Sequence, residues 1–174
     1  MGTLEITTWK GDITTASTDA IVNAANSGLN CGAGVCGAIF EAAGALQLQA
    51  ACDRLGRCPT GDAAITEGFR LTDGDARKWI IHAVGPVWRD GNSGEAEQLA
   101  NAYRRAVEVA DSVGAASVAF PAISTGIYGY DPEAATVIAV TTLRSLSPTT
   151  VQRVELVAFN DAQLDRNRRA IAAS

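Results

Sequence analysis

Between Asp19 and Gly44 the chain reads DAIVNAANSGLNCGAGVCGAIFEAAG: an apolar strand, a polar loop dense in glycine, then an alanine-rich helix, with no lysine or arginine throughout. Five of the 17 glycines fall here, at Gly28, Gly32, Gly34, Gly37 and Gly44. Without a Cβ they let peptide N–H groups come close to an anion, and the helix dipole adds partial positive charge. The loop is therefore suited to hold a phosphate through its backbone.

Short β-branched or apolar segments recur at Leu4–Trp9, Ala20–Asn23, Ala63–Phe69, Trp79–Val84, Ser117–Phe120 and Arg153–Phe159, with helical patterns between several of them. The alternation predicts an α/β domain with a largely parallel sheet. In the first helix Val35, Ala38, Ile39, Ala42 and Leu46 follow a helical spacing, which would lay one apolar stripe on the sheet, at some cost from Gly44. A second helix is expected from Glu95 to Val113, with Leu99, Ala102, Ala106, Ala110 and Val113 on one face and Gly114 as its stop. A third begins at Asp131-Pro132, an N-cap followed by proline, and runs to Leu146. Leu164, Arg168 and Ile171 suggest a short last helix. Gly91–Gly94 and Ser147–Thr150 read as ordinary connections.

At 174 residues and 47% hydrophobic, the chain suffices for one well-buried domain. A net charge of −5 argues against broad binding to nucleic acid or anionic membranes, which needs a basic face. The exception, Arg153, Arg166, Arg168 and Arg169, reads as a solvated helix face. The start of the chain lacks a basic and apolar leader, and no apolar run approaches the ~20 residues of a membrane span. A soluble, cytoplasmic, monomeric protein is expected. Cys31, Cys36, Cys52 and Cys58 lack C-x-x-C spacing and read as reduced thiols. With His82 the sole histidine, neither a metal site nor a cofactor is expected.

Gly32-Ala33-Gly34-Val35-Cys36-Gly37 satisfies G-x-G-x-x-G, the dinucleotide-dehydrogenase pattern, but in the wrong context. That pattern directly follows a strand, with an acid ending a second strand about 20 residues on. Here Ala24–Cys31 intervenes, and the nearest acid, Asp53, lies in polar CDRLGRC. Ala122-Ile123-Ser124-Thr125-Gly126 resembles a degraded nucleophile elbow but lacks a base, since His82 lies in the apolar WIIHAVGP and reads as a core histidine. A second glycine loop, PAISTGIYGYDPEAA, follows the Ser117–Phe120 strand. Two strand-to-helix loops of this kind can flank one ligand at the carboxyl ends of parallel strands. Asn23 reads as tying its loop together, whereas Asn26, deeper in the loop, could meet a ligand hydroxyl or a water.

GDIT at Gly11–Thr14, DAIVNAAN at Asp19–Asn26, GxGVxGAI at Gly32–Ile39 with AAG at Ala42–Gly44, IHAVGP at Ile81–Pro86 and PAISTGIYGY at Pro121–Tyr130 together resemble the macrodomain family, specifically its MacroD-type hydrolase branch. The match is collinear over nearly the whole chain. The resemblance implies a three-layer α/β/α sandwich with ADP-ribose in a cleft at the ends of the central strands. It further implies that Asp12 accepts the adenine amino group, that Ile13 lines that pocket and that Phe159 packs on adenine, with Asn160 beside it. Ser124, Thr125, Gly126, Ile127 and Tyr128 would wrap the diphosphate, faced by Gly34 and Val35. Asn26 would address the distal ribose, with Tyr128 next to it, and these two would carry the chemistry.

Two departures bear on catalysis. MacroD-type enzymes carry GGGGVDGAIH where this chain has CGAGVCGAIF, so the catalytic acid is replaced by Cys36 and the histidine by Phe40. A neutral thiol is a poor base at pH 7, which leaves Cys36 a lining role. The implied activity is release of mono-ADP-ribose from Asp or Glu side chains, because a carboxylate leaving group of pKa about 4 needs little acid assistance, with O-acetyl-ADP-ribose as a further expected substrate. The alternative is a module that recognises ADP-ribose on modified proteins without chemistry. Removal of ADP-ribose from nucleic acid is disfavoured by the acidic balance.

Overall fold

The computed structural model describes residues 3–73 and 76–174. Six strands, β1 (Glu5–Lys10), β2 (Ala20–Ala24), β3 (Ala63–Asp73), β4 (Ala76–Ala83), β5 (Ser117–Phe120) and β6 (Arg153–Ala158), form one sheet in the order β1-β6-β5-β2-β4-β3. The first five in that order run parallel, and β3 pairs antiparallel with β4. Five strands therefore deliver their carboxyl ends, and the loops that follow, to one edge of the sheet.

The period of two along each strand splits the apolar residues between two cores. Ala20, Val22, Ile81, Val118, Phe120, Val154 and Leu156 point to one face, packed under α3 (Glu95–Ser112) and α4 (Pro132–Arg144), with Ala170 and Ile171 of α5 (Asp161–Ala172) against them. Ile21, Ile80, Ala119 and Val157 point to the other, under α1 (Gly34–Ala43) and α2 (Ala45–Leu55). The result is the expected three-layer α/β/α arrangement around a mixed, largely parallel sheet. Among the described residues no single helix is long and apolar enough to cross a membrane.

The first helix differs from expectation. Gly44 takes φ +100, outside the helical range, and the chain turns by 108° into α2, a helix that the polar CDRLGRC segment concealed. The stripe through Leu46 is consequently broken: Leu46 is 89% exposed, and α1 buries Cys36, Ile39, Phe40 and Ala43 instead. Strand β3 runs past Phe69, because the positive φ of Phe69 belongs to an irregularity between Glu67 and Thr72 rather than to a strand end. The last helix, α5, has 12 residues, capped by the Asn160 side chain on the Gln163 N–H. At α4 the Asp131 carboxylate accepts from the Ala134 N–H, with Pro132 at the start, as the sequence predicts.

Candidate functional site

The loops that leave the five parallel strands enclose a cleft of about 1090 Å³. Asp12 and Ile13 come from the end of β1, Asn26, Gly34, Val35 and Cys36 from beyond β2, and Ser124, Thr125, Gly126, Ile127 and Tyr128 from beyond β5. Phe159 and Asn160 come from the end of β6. The structure thus gathers every candidate residue in one lining.

The loop after β2 is braced by its own asparagine. Asn26 Nδ2 donates to the Asn30 carbonyl at 2.8 Å, and its Oδ1 accepts from the Asn30 N–H at 3.0 Å. The side chain expected to reach outward is therefore also the clamp that shapes the loop. Its Nδ2 retains a second proton for a ligand. Gly34, the first residue of α1, sits at φ +61, and no side chain caps this helix. The opening N–H groups of α1 remain for whatever enters along Gly32–Val35.

The loop after β5 turns through Ser124 at φ +66, a left-handed conformation that serine rarely adopts. Its hydroxyl is buried without a hydrogen-bond partner. Gly85, after β4, makes room for it, since a Cβ there would lie 2.2 Å from Ser124 Oγ. The main chain is pinned by the Tyr130 N–H on the Ser124 carbonyl at 2.9 Å and the Gly129 N–H on the Gly126 carbonyl at 3.0 Å. Tyr128 is held from outside: its carbonyl accepts from the Trp88 N–H at 2.7 Å, and the Trp88 ring packs edge-on against Tyr130 at 4.9 Å.

That support is organised by Glu95, because the Gly91–Gly94 connection wraps its carboxylate. Oε2 accepts from the N–H groups of Arg89, Asp90 and Gly91, and Oε1 from Ser93 at 2.6 Å. Burial opposes ionisation, but the N–H donors of Gly91, Arg89 and Ser93, with the Glu95 N–H itself, outweigh it and hold the pKa at about 2.

At the β1/β6 end, Asp12 Oδ1 caps the short turn Ile13–Thr15, accepting from the Thr14 N–H at 2.9 Å and hydroxyl at 2.7 Å. Ile13 is buried beneath, while Phe159 stands 87% exposed at the rim. The Phe159 N–H donates to Gln163 Oε1 at 2.9 Å, fixing the backbone under that ring. Lys10 and Asp161 pair at 2.8 Å on the same rim.

Below the cleft floor lies a buried polar cluster. Asn23 Nδ2 donates to His82 Nδ1 at 3.1 Å, and His82 Nε2 meets Thr66 Oγ1 at 2.9 Å, with Cys52 Sγ at 3.8 Å. His82 is the core histidine expected, and burial lowers its pKa to about 4. Cys36 lines the cleft with its Sγ 3.8 Å from the Asn30 carbonyl; desolvation raises its pKa, so the thiol stays neutral. Phe40 is buried in the core.

The sequence reading missed Gly85, Gln163 and Arg166. Arg166 is not part of a solvated face, because it lines the cleft with Pro132 and Thr136. Counting helical turns from the Asn160 cap puts Gln163 and Arg166 on one side of α5, a signal that the cluster of like charges obscured.

Comparison with known proteins bears directly on this cleft. The Macro domain family model matches residues 22–139. A macro domain-containing protein of Chlorobaculum tepidum is 48% identical over 166 residues, which cover 94% of each chain. The solved Oceanobacillus iheyensis macrodomain with ADP superimposes with a TM-score of 0.87 at 38% identity, covering 95% of this chain and 89% of that one. The Trypanosoma brucei macrodomain in complex with ADP-ribose gives 0.85 at 31% identity, covering 96% and 69% respectively. With its sheet order, its glycine loops and these relatives in agreement, the chain belongs to the macro domain family.

Proposed function

We propose that the protein binds ADP-ribose in this cleft and hydrolyses mono-ADP-ribose esters of Asp and Glu side chains, in the manner of the MacroD-type branch. One observation supports the binding most directly: two glycine-bearing loops and an uncapped helix N-terminus converge with no lysine or arginine in either loop. Such a surface grips a diphosphate by backbone N–H groups. Adenine would then lie between Asp12, Ile13 and Phe159, and the distal ribose beside Asn26 and Tyr128.

Cleavage at C1″ passes through an oxocarbenium-like state, which needs stabilised positive charge and a placed water. The departing carboxylate, of pKa about 4, leaves without a proton donor. A phosphate oxygen of the ligand can orient the water, while the Asn26 amide and the Tyr128 loop hold the sugar. Because the Cys36 thiol is neutral, no protein base acts at that position, and turnover is slow. Attachments through serine or arginine, with worse leaving groups, are poor substrates.

A second reading, recognition without chemistry, is favoured by the same neutral thiol. Incubation with glutamate-modified protein separates the two. Release of free ADP-ribose, strongly slowed by Asn26→Ala and little changed by Cys36→Ala, supports hydrolysis. Binding that Asp12→Ala weakens, with no release, supports the reader. Absence of binding to ADP-ribose itself refutes both.

A further inference from the structure

We propose that the wall of the cleft formed by α4 and α5 is a second anion site, centred on Arg166. It takes a phosphate monoester carried on the adenosine ribose of the bound nucleotide. The inference rests on ADP-ribose occupying the cleft as set out above, and extends it to a larger ligand class.

The charged side chains that line the cleft are Lys10, Asp12, Asp161 and Arg166. Lys10 is neutralised by Asp161 at 2.8 Å. Arg166 is only partly compensated. Its Nε is buried without a hydrogen-bond partner and lies 3.6 Å from Glu133 Oε1, beyond hydrogen-bonding distance. The same Glu133 oxygen accepts from Arg169, so two guanidinium groups share one carboxylate and the cluster keeps an excess positive charge. Nε is enclosed by protein, so it is the remainder of the Arg166 side chain that faces the cleft, and a guanidinium has further donors in a planar fork that matches phosphate oxygens.

The position of Arg166 selects the part of the ligand it would meet. It sits one helical turn beyond Gln163, whose side chain supports the Phe159 backbone, and it shares its wall with Pro132 and Thr136. The diphosphate loops are elsewhere, at the ends of β2 and β5. Between the adenine pocket at Phe159 and the loop at Thr125 lies the span that the adenosine ribose would occupy. The N-terminus of α4 does not compete for an anion there, because the Asp131 carboxylate already caps it. The cleft, at about 1090 Å³, slightly exceeds the roughly 300–1,000 Å³ typical of small-molecule sites, which leaves space for an added phosphate.

Calorimetry on the full chain tests this with ADP-ribose, ADP-ribose 2′-phosphate and its 3′ isomer, at low and at raised ionic strength. The expected result is that at least one phosphorylated ligand binds about tenfold more tightly than ADP-ribose, a factor worth roughly 1.4 kcal/mol. The advantage should shrink with added salt and vanish in Arg166→Gln. Arg169→Gln, which releases Glu133 to pair with Arg166, should reduce it as well and serves if Arg166→Gln does not fold. Equal or weaker binding of both phosphorylated ligands overturns the proposal, as does an advantage that survives either substitution. Failure of ADP-ribose itself to bind would instead overturn the parent reading.

Discussion

Acidification from pH 7 to pH 5 should cost this protein about 2 kcal/mol of stability through one side chain. His82 is the only histidine in the chain and is fully buried, and burial lowers its pKa from 6.5 to about 4. With the Asn23 amide donating to Nδ1, the proton resides on Nε2 and is directed at Thr66, so the core is arranged for the neutral ring. The folded pKa lies below the unfolded one. Between the two values the unfolded chain therefore binds more protons, and stability falls as the pH drops. The whole gap corresponds to roughly 3 kcal/mol at about 1.4 kcal/mol per pH unit, most of it spent before the carboxylates of an unfolded chain begin to titrate. For a chain of this size, about 2 kcal/mol lowers the melting temperature by roughly 4–8 °C. Urea unfolding followed by tryptophan fluorescence at pH 7, 6 and 5 measures the slope, and His82→Gln should flatten it. A wild-type protein equally stable at pH 7 and pH 5, or a slope that persists in His82→Gln, would refute the reasoning.

Gly85→Ala should displace the β5 loop, because the new Cβ would lie 2.2 Å from Ser124 Oγ and 2.5 Å from Ile123 Cγ2. A loss of about 1–3 kcal/mol in thermal or chemical unfolding, accompanied by weakened ADP-ribose binding, is the expected outcome; unchanged binding would show that the Ser124 turn does not shape the site. Glu95→Gln should speed amide hydrogen exchange at Gly91 and Ser93 and weaken ADP-ribose binding through the Trp88 contact to Tyr128. Since the folded pKa of Glu95 is depressed to about 2, its stabilisation is present above the unfolded value of about 4.5 and is lost as the pH falls towards 2. Undiminished protection at Gly91 and Ser93 in the variant would count against this role.

Where a residue's part depends on its neighbours in the chain, the sequence alone was sufficient. Glycine at Gly32, Gly34 and Gly37, the Asp131-Pro132 helix start and the apolar run around His82 each reflect local backbone geometry or local periodicity, and the strand-to-helix alternation follows from the same short-range rules. The phosphate-loop candidates were legible for that reason. What the tertiary structure decided is which local features meet. Asp12 and Phe159 are far apart in sequence and come together only because β1 pairs parallel with β6, which sets Lys10 opposite Ala158. The break at Gly44, the burial of Phe40 and the turn of Leu46 to solvent depend on how α1 docks against the sheet. Glu95 is an exposed-looking acid at a helix start until the Arg89–Ser93 backbone folds over it. Arg166 is one of several arginines until α5 packs beside α4 and brings it to the cleft. Burial and electrostatic compensation are properties of long-range packing, and no window of neighbouring residues contains them.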